Sequence, residues 1–228
     1  MSARADALAL IAKSEALEAL AAHVRGSLDD DPGHDYEHCL RVAGWAIRCG
    51  GAEVDPVECV AAALLHDAVN VPKDSPRRAN ASELSAARAR DVLPGFGFEP
   101  DAVTRLAEAI EDHSYSRGAT PRSALGDAVQ DADRLEALGA LGLCRTISTG
   151  TRMGARYFHA ADPFGETREL DDRAYSVDHF FTKLLRLPST LRTDAGRAEA
   201  KRRALFLRAF LEQLADELGQ SPPPLDRS

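Results

Sequence analysis

Residues 57–65 (VECVAAALL) form the most apolar helical stretch of the chain, and they close on His66-Asp67. Asp55-Pro56 marks where this helix begins, with Asp55 suited to the N-cap and Pro56 to the first helical position. A breaker-rich segment, 70–76, follows the pair. A helix of this kind carries Val60, Leu64 and Leu65 into a core and delivers an imidazole and a carboxylate side by side at its end. Such a pair is a compact ligand set for a divalent metal. An aspartate at a helix C-terminus is also unfavourable with the helix dipole, so the position calls for a compensating cation.

The rest of the chain reads as further helices. A helix is expected over about 5–24, with Leu8, Ile11, Leu17 and Leu20 near helical spacing. A second is expected over about 35–49, with Val42, Trp45, Ala46 and Cys49 on one side and Gly50-Gly51 as its stop. Ser82 reads as the cap of another, to about Leu93. Further helices are expected from Asp101 to His113, over about 125–141, over 176–187 and over 195–218. Residues 149–172, rich in Gly, Asp and Arg, are too long for a simple connector and read as a lid or an irregular flap. No alternating strand pattern of useful length, internal repeat or glycine-rich phosphate loop is present. The expected fold is all-α, one domain over 1–220 with a disordered tail over 221–228.

Composition narrows the function classes. The 228 residues are 44% hydrophobic and 28% charged, which suits an ordinary globular chain. The net charge of −8 argues against nonspecific nucleic-acid binding, so an anionic substrate needs a local basic pocket or a metal. Cys39, Cys49, Cys59 and Cys144 form no Cys-x-x-Cys pair and read as free thiols. Arg4, Asp6, Lys13 and Glu15 break the N-terminal segment, which is neither a signal peptide nor a membrane span. These features suit a reducing cytoplasm. Whether the chain is a monomer or a homodimer is open, because the broad apolar face of the last helix could serve either.

Upstream of His66-Asp67 lie His34 and His38, four apart, and downstream lie Asp131 and Asp133. His38 is the better placed histidine, being inside its helix, whereas His34 adjoins Gly33. Asp131 and Asp133 are two apart, so a helix points them in different directions and only one easily reaches the ion that His66 would hold. Read singly, each of these residues has an ordinary structural use. Their order, His…His-Asp…Asp, carries the chemistry.

His38-x-x-Arg41-Val42, Leu64-Leu65-His66-Asp67 and Ala132-Asp133-Arg134-Leu135 resemble the HD superfamily of metal-dependent phosphohydrolases. With His34-Asp35, Val69-Asn70-Val71-Pro72-Lys73, His113-Ser114 and Asp178-His179-Phe180-Phe181-x-Lys183-Leu184 added, the pattern resembles the bacterial YedJ-like HD-domain hydrolases over most of the chain. The resemblance implies an HD-domain helical bundle with one divalent ion (Mn, Fe, Co, Ni or Mg) held by His38, His66, Asp67 and Asp133. Asp131 would then stand behind, orienting a ligand histidine. It also implies metal-assisted hydrolysis of a nucleotide or similar small phosphate compound.

Within that reading Asp67 accepts a proton and His113 acts as phosphate donor or general acid. Lys73, Arg77 and Arg78 are candidates for phosphate contact. His34, Asp35 and Lys183 are further substrate-side candidates, while His179 is expected to pack beside Phe180 and Phe181. Asn70 and Val71 stand where the alarmone hydrolases carry a Glu-Asp pair, and no Gly-Tyr-Pro signature of the cyclic-dinucleotide phosphodiesterases is present. A dimetal HD-type oxygenase, which needs two more histidines between the HD pair and the last Asp, is one alternative, since only His113 lies there. The other is a non-catalytic HD domain that binds a nucleotide.

Overall fold

Asp55 and Pro56 start their helix as the sequence asks. The Asp55 carboxylate accepts from the Val57 backbone N at 2.8 Å, and α4 runs Pro56–Leu65 with His66 as its C-cap. The computed structural model describes residues 2–27, 35–69, 71, 80–114 and 117–225. Before α4 come α1 (Ala3–Ile11), α2 (Glu15–Ser27) and α3 (Tyr36–Gly50). After it come α5 (Ala81–Val92), α6 (Pro100–Asp112), α7 (Ala124–Glu136), α8 (Gly139–Arg152), α9 (Asp178–Thr182) and α10 (Asp194–Glu217). Short 3-10 segments cover Leu93–Phe96 and Leu184–Thr190. Among the described residues the fold is all-α, with one isolated bridge between Arg156 and Tyr175.

The chain divides into two compact units. The first comprises Met1–Asp133 and Arg192–Gly196, the second Arg134–Leu191 and Arg197–Ser228. In the first unit α4 is apolar all round and buried from Cys59 to Leu65. It packs against α1, α2, α3, α5 and α6. Cys39, Leu40, Val42, Ala43, Leu106 and Ile110 close over it in one continuous core. Where α1 meets α3 the backbones nearly touch: a Cβ on Gly44 would lie 1.8 Å from the Ala3 carbonyl oxygen.

In the second unit, irregular backbone from 153 to 177 is tied down by one buried carboxylate. Asp178 takes Arg168 at 2.6 and 2.7 Å and the Asp171 N–H at 2.7 Å. Phe180 stacks on Phe210 of α10 at 5.5 Å between ring centres. Arg203 donates to Glu199 at 2.7 Å and to the Leu135 carbonyl at 2.6 Å.

Several boundaries differ from expectation, each for a local reason. The helix expected over 5–24 is two helices, because the Ser14 hydroxyl accepts from the Leu17 N–H and caps α2. Ser82 lies inside the first turn of α5, whose N-cap is Asn80. The helix expected over 125–141 stops at Glu136, and Gly139 (φ 71°) restarts the chain as α8. That helix then continues to Arg152, so the irregular stretch starts later than 149. The helix expected over 176–187 is the five residues of α9 followed by a 3-10 segment containing Pro188. Residues 221–225 carry no regular structure, and 226–228 lie outside the described residues. Among the described residues no helix is long and apolar enough to cross a membrane.

Candidate metal centre

Four helices of the first unit deliver one side chain each, or a pair, to a single place. His38 is the third residue of α3, whose start is fixed by Asp35 accepting the His38 N–H at 2.7 Å. His66-Asp67 follows α4, His113 is the C-cap of α6, and Asp133 lies in the last turn of α7. His38 and His66 are wholly buried and His113 nearly so, while Asp67 and Asp133 are partly open to solvent.

The polar atoms face one another closely. His38 Nε2 and His66 Nε2 are 3.2 Å apart. Asp67 Oδ2 is 3.3 Å from His66 Nε2, and Asp133 Oδ1 is 3.6 Å from His38 Nε2 and 3.8 Å from His66 Nε2. The other oxygen of Asp67, Oδ1, is 3.6 Å from His113 Nε2. His66 Nδ1 donates to the Ala63 carbonyl at 2.7 Å, and His113 Nδ1 donates to the Ile110 carbonyl at 2.6 Å. Each of these bonds holds the proton on Nδ1 and leaves the Nε2 lone pair facing the centre.

The electrostatics follow from that crowding. Burial opposes a charge on His66, but Asp67, Asp133 and the Ala63 carbonyl outweigh it and raise its pKa to about 9. Burial likewise works against ionised Asp67, yet His66 and His113 hold it well below the usual carboxylate range. Asp133 is lowered too, against burial, by His66, His38 and His113. In the metal-free chain a proton shared among these groups stands where a cation would stand.

The donor set fits a divalent ion. His38, His66 and Asp67 each offer a ligand atom, all within 4.8 Å of one another. An ion with bonds of about 2.1 Å holds neighbouring ligands about 3.0 Å apart in an octahedron and about 3.4 Å apart in a tetrahedron. The distances of 3.2, 3.3 and 3.6 Å among the imidazole and carboxylate atoms lie in or just beyond that range. Two imidazoles and two carboxylates suit Mn²⁺, Fe²⁺, Co²⁺ or Ni²⁺ better than Mg²⁺.

Asp131 does something other than orient a histidine. Its buried carboxylate accepts the Arg192 N–H at 3.0 Å, and the Thr193 N–H and hydroxyl at 2.7 and 2.8 Å, anchoring the start of α10. Being two residues from Asp133, it faces another side of α7. His179 also departs from expectation: its Nδ1 meets Asp172 Oδ2 at 3.0 Å, in addition to lying next to Phe180 in sequence. Lys183 lies in the second unit, half-buried just after α9. His34, Lys73, Arg77 and Arg78 lie outside the described residues.

Two buried residues behind the centre had no signal in the sequence beyond helical spacing. Ser85 of α5 accepts the Val69 N–H at 3.1 Å, two residues past Asp67. Gln130 of α7 donates to the carbonyls of Asp112 and Ala119 at 2.8 and 3.1 Å.

A helical bundle with this His, His-Asp, Asp centre defines an HD domain, and the chain belongs to the HD superfamily of metal-dependent phosphohydrolases. A model of the HD domain family matches residues 35–138, from the cap of α3 to just past α7. The chain is similar to the uncharacterized protein YpgQ of Bacillus subtilis, at 35% identity over 195 residues, covering 83% of this chain and 87% of that one. The crystal structure of YpgQ in complex with ADP superposes with a TM-score of 0.69 at 30% identity, over 89% of this chain and 94% of that one. An HD-superfamily hydrolase from Bacillus thuringiensis gives a TM-score of 0.68 at 29% identity, over 89% and 96% of the two chains.

Proposed function

We propose that this chain hydrolyses a phosphate ester or anhydride of a nucleotide, with His38, His66, Asp67 and Asp133 holding one divalent ion. The observation that carries the reading is the facing of His38 Nε2 and His66 Nε2 at 3.2 Å with carboxylate oxygens of Asp67 and Asp133 beside them. With His66 keeping its own proton on Nδ1, two ring nitrogens at that distance need a proton or a metal cation between them. When bound, the ion supplies an acidified water and neutralises charge on the phosphoryl group.

The protein's own part is proton handling and placement. Asp67 divides its two oxygens, Oδ2 toward His66 and Oδ1 toward His113. A proton taken from the attacking water by Asp67 has a path of 3.6 Å to His113 Nε2. The bond from His113 Nδ1 to Ile110 leaves Nε2 able to receive that proton and pass it to the departing oxygen. Asp35 fixes the N-terminus of α3 and with it His38. His34, Asp35, Lys73, Arg77 and Lys183 remain our candidates for the substrate side.

That YpgQ is solved with ADP supports a nucleotide as substrate class. The thiols of Cys39, Cys49 and Cys59 are buried and form no disulfide, which supports a cytoplasmic setting.

The test is a hydrolysis screen with Mn²⁺, Mg²⁺, Co²⁺ and Ni²⁺ in turn against nucleoside mono-, di- and triphosphates. Phosphate and pyrophosphate are read separately, and His66→Ala is the control. We expect turnover that vanishes in the control. Nucleotide binding without turnover under every metal would replace the hydrolase by a nucleotide-binding module. Two bound irons with oxygen consumption would replace it by an oxygenase.

A further inference from the structure

His113 stands at a chain reversal between α6 and α7, and its Nε2 must stay near Asp67 Oδ1 for the proton path to exist. Its ring is pinned to its own helix through Ile110. What places the end of that helix is a separate matter. On the outer side, the Asp112 carboxylate takes the Arg122 backbone N–H at 3.1 Å and its guanidinium at 2.8 and 2.9 Å. Arg117 donates to the Glu111 carbonyl at 3.1 Å and meets Glu83 at 3.2 Å. Arg122 is about half exposed, so its clamp competes with water.

On the inner side lies Gln130, 1% exposed. Its Nε2 carries two hydrogens, and they go to the carbonyls of Asp112 and Ala119. Both acceptors are carbonyl oxygens, so the amide fits one way round only: turned over, its oxygen would face two oxygens. The Asp112 carbonyl belongs to the peptide group whose nitrogen is that of His113. Gln130 therefore holds the peptide plane from which His113 departs, and through Ala119 it holds the returning strand of the reversal.

Gln130 also lies three residues before Asp133 on α7, about one helical turn away. One rigid turn of helix thus carries both a ligand of the centre and the anchor of His113. We infer that Gln130 is a positioning residue that registers His113 against Asp67 and the metal centre. The functional half of this inference rests on the reading of His113 as the proton carrier. The structural half stands on its own.

Two variants separate the possibilities. Gln130→Met keeps the length and removes both donors, and Gln130→Glu keeps the shape and sets a carboxylate against two carbonyls. Four quantities are read in each: Mn²⁺ affinity by calorimetry, kcat and KM on the nucleotide turned over in the screen, and the ¹⁵N signals of the His113 ring. We expect unchanged Mn²⁺ affinity and KM, because Gln130 touches none of the four ligands. We expect kcat to fall about 10²-fold, the loss typical of a reacting group misplaced by an ångström. The bond from His113 Nδ1 to Ile110 should keep the tautomer, while the Nε2 signal, which faces Asp67, should shift.

A folded variant with unchanged kcat and an unchanged His113 spectrum overturns the inference. So does a parallel loss of Mn²⁺ affinity and kcat, and so does failure of both variants to fold, since each marks Gln130 as a support of the whole unit. If the parent turns over no phosphate compound, the His113 spectrum decides alone: a shifted Nε2 signal in Gln130→Met sustains the positioning role, and an unchanged spectrum refutes it.

Discussion

Stripped of metal by a chelator, the folded chain should lose stability as the pH rises from 6.5 to 9. His66 is the reason. Its pKa goes from an ordinary 6.5 to about 9 on folding, because Asp67 and Asp133 outweigh the cost of burial. A group whose pKa is raised by folding contributes stability that is complete below the unfolded value and lost as pH climbs through the folded one. The displacement corresponds to about 3 kcal/mol at full extent. The lowered pKa of Asp67 describes the same pairing from the other side and is not added to it.

The assay is urea unfolding in EDTA at intervals from pH 6 to 10, with His66→Gln as reference. The parent should lose about 3 kcal/mol relative to that variant across this window. Above pH 9 a second loss enters from Cys39 and Cys59, whose thiols are pushed up by burial, Cys59 to about 12, and which ionise near 9 once unfolded. The window below 9 therefore belongs to the histidine. With saturating Mn²⁺ the loss between pH 6.5 and 9 should disappear, since the ion displaces the His66 proton and binds about tenfold more tightly per pH unit, a gain that offsets the loss of the metal-free chain. A metal-free chain whose stability is flat or rising from 6.5 to 9, relative to His66→Gln, would show that no proton is held there and would sink the argument.

Three further outcomes follow from packing. Gly44→Ala drives a methyl group into the Ala3 carbonyl, 1.8 Å from where its Cβ must lie, and should cost about 3 kcal/mol in urea unfolding. Ser85→Ala leaves the Val69 N–H without its acceptor; we expect a loss of about 1–2 kcal/mol, together with weaker Mn²⁺ binding in calorimetry. Arg168→Met strands the wholly buried Asp178 carboxylate in the second unit and should cost about 3–5 kcal/mol, read as a lowered melting temperature. An unchanged melting temperature would mean that water reaches Asp178.

Much of the first unit was legible because its signals are local. Asp55-Pro56 is a cap that acts within three residues, and the structure uses it as written. Ser14 is an equally good cap, yet the regular spacing of Leu8, Ile11, Leu17 and Leu20 conceals the break it makes. Periodicity says which face is buried but not whether the chain is continuous. The choice between Asp131 and Asp133 shows a different limit. Helical geometry says that only one can reach the centre, and the resemblance to the family says which. Neither says what the other does, because the partners of Asp131, Arg192 and Thr193, lie some sixty residues further on. Gln130 was invisible for the same reason: its worth depends on two carbonyls, and carbonyls leave no mark in a sequence.

The centre repeats one device, and the repetition explains why it sits at helix ends. His66 caps α4 and His113 caps α6, and each gives its Nδ1–H to the carbonyl three residues earlier. The last carbonyls of a helix have no partner within it, so they are free to fix an imidazole tautomer at no cost to the backbone ladder. They also carry the negative end of the helix dipole, which favours positive charge on the ring beyond them. The same field is unfavourable to Asp67, placed immediately after α4. A helix end that seats an aspartate against its dipole, and surrounds it with two imidazoles whose Nε2 lone pairs point the same way, is stable only with a positive charge among them. A proton supplies that charge in the free chain, and a divalent ion supplies it better. The arrangement that costs the apo protein stability at high pH is therefore the one that gives the holoprotein its affinity for metal.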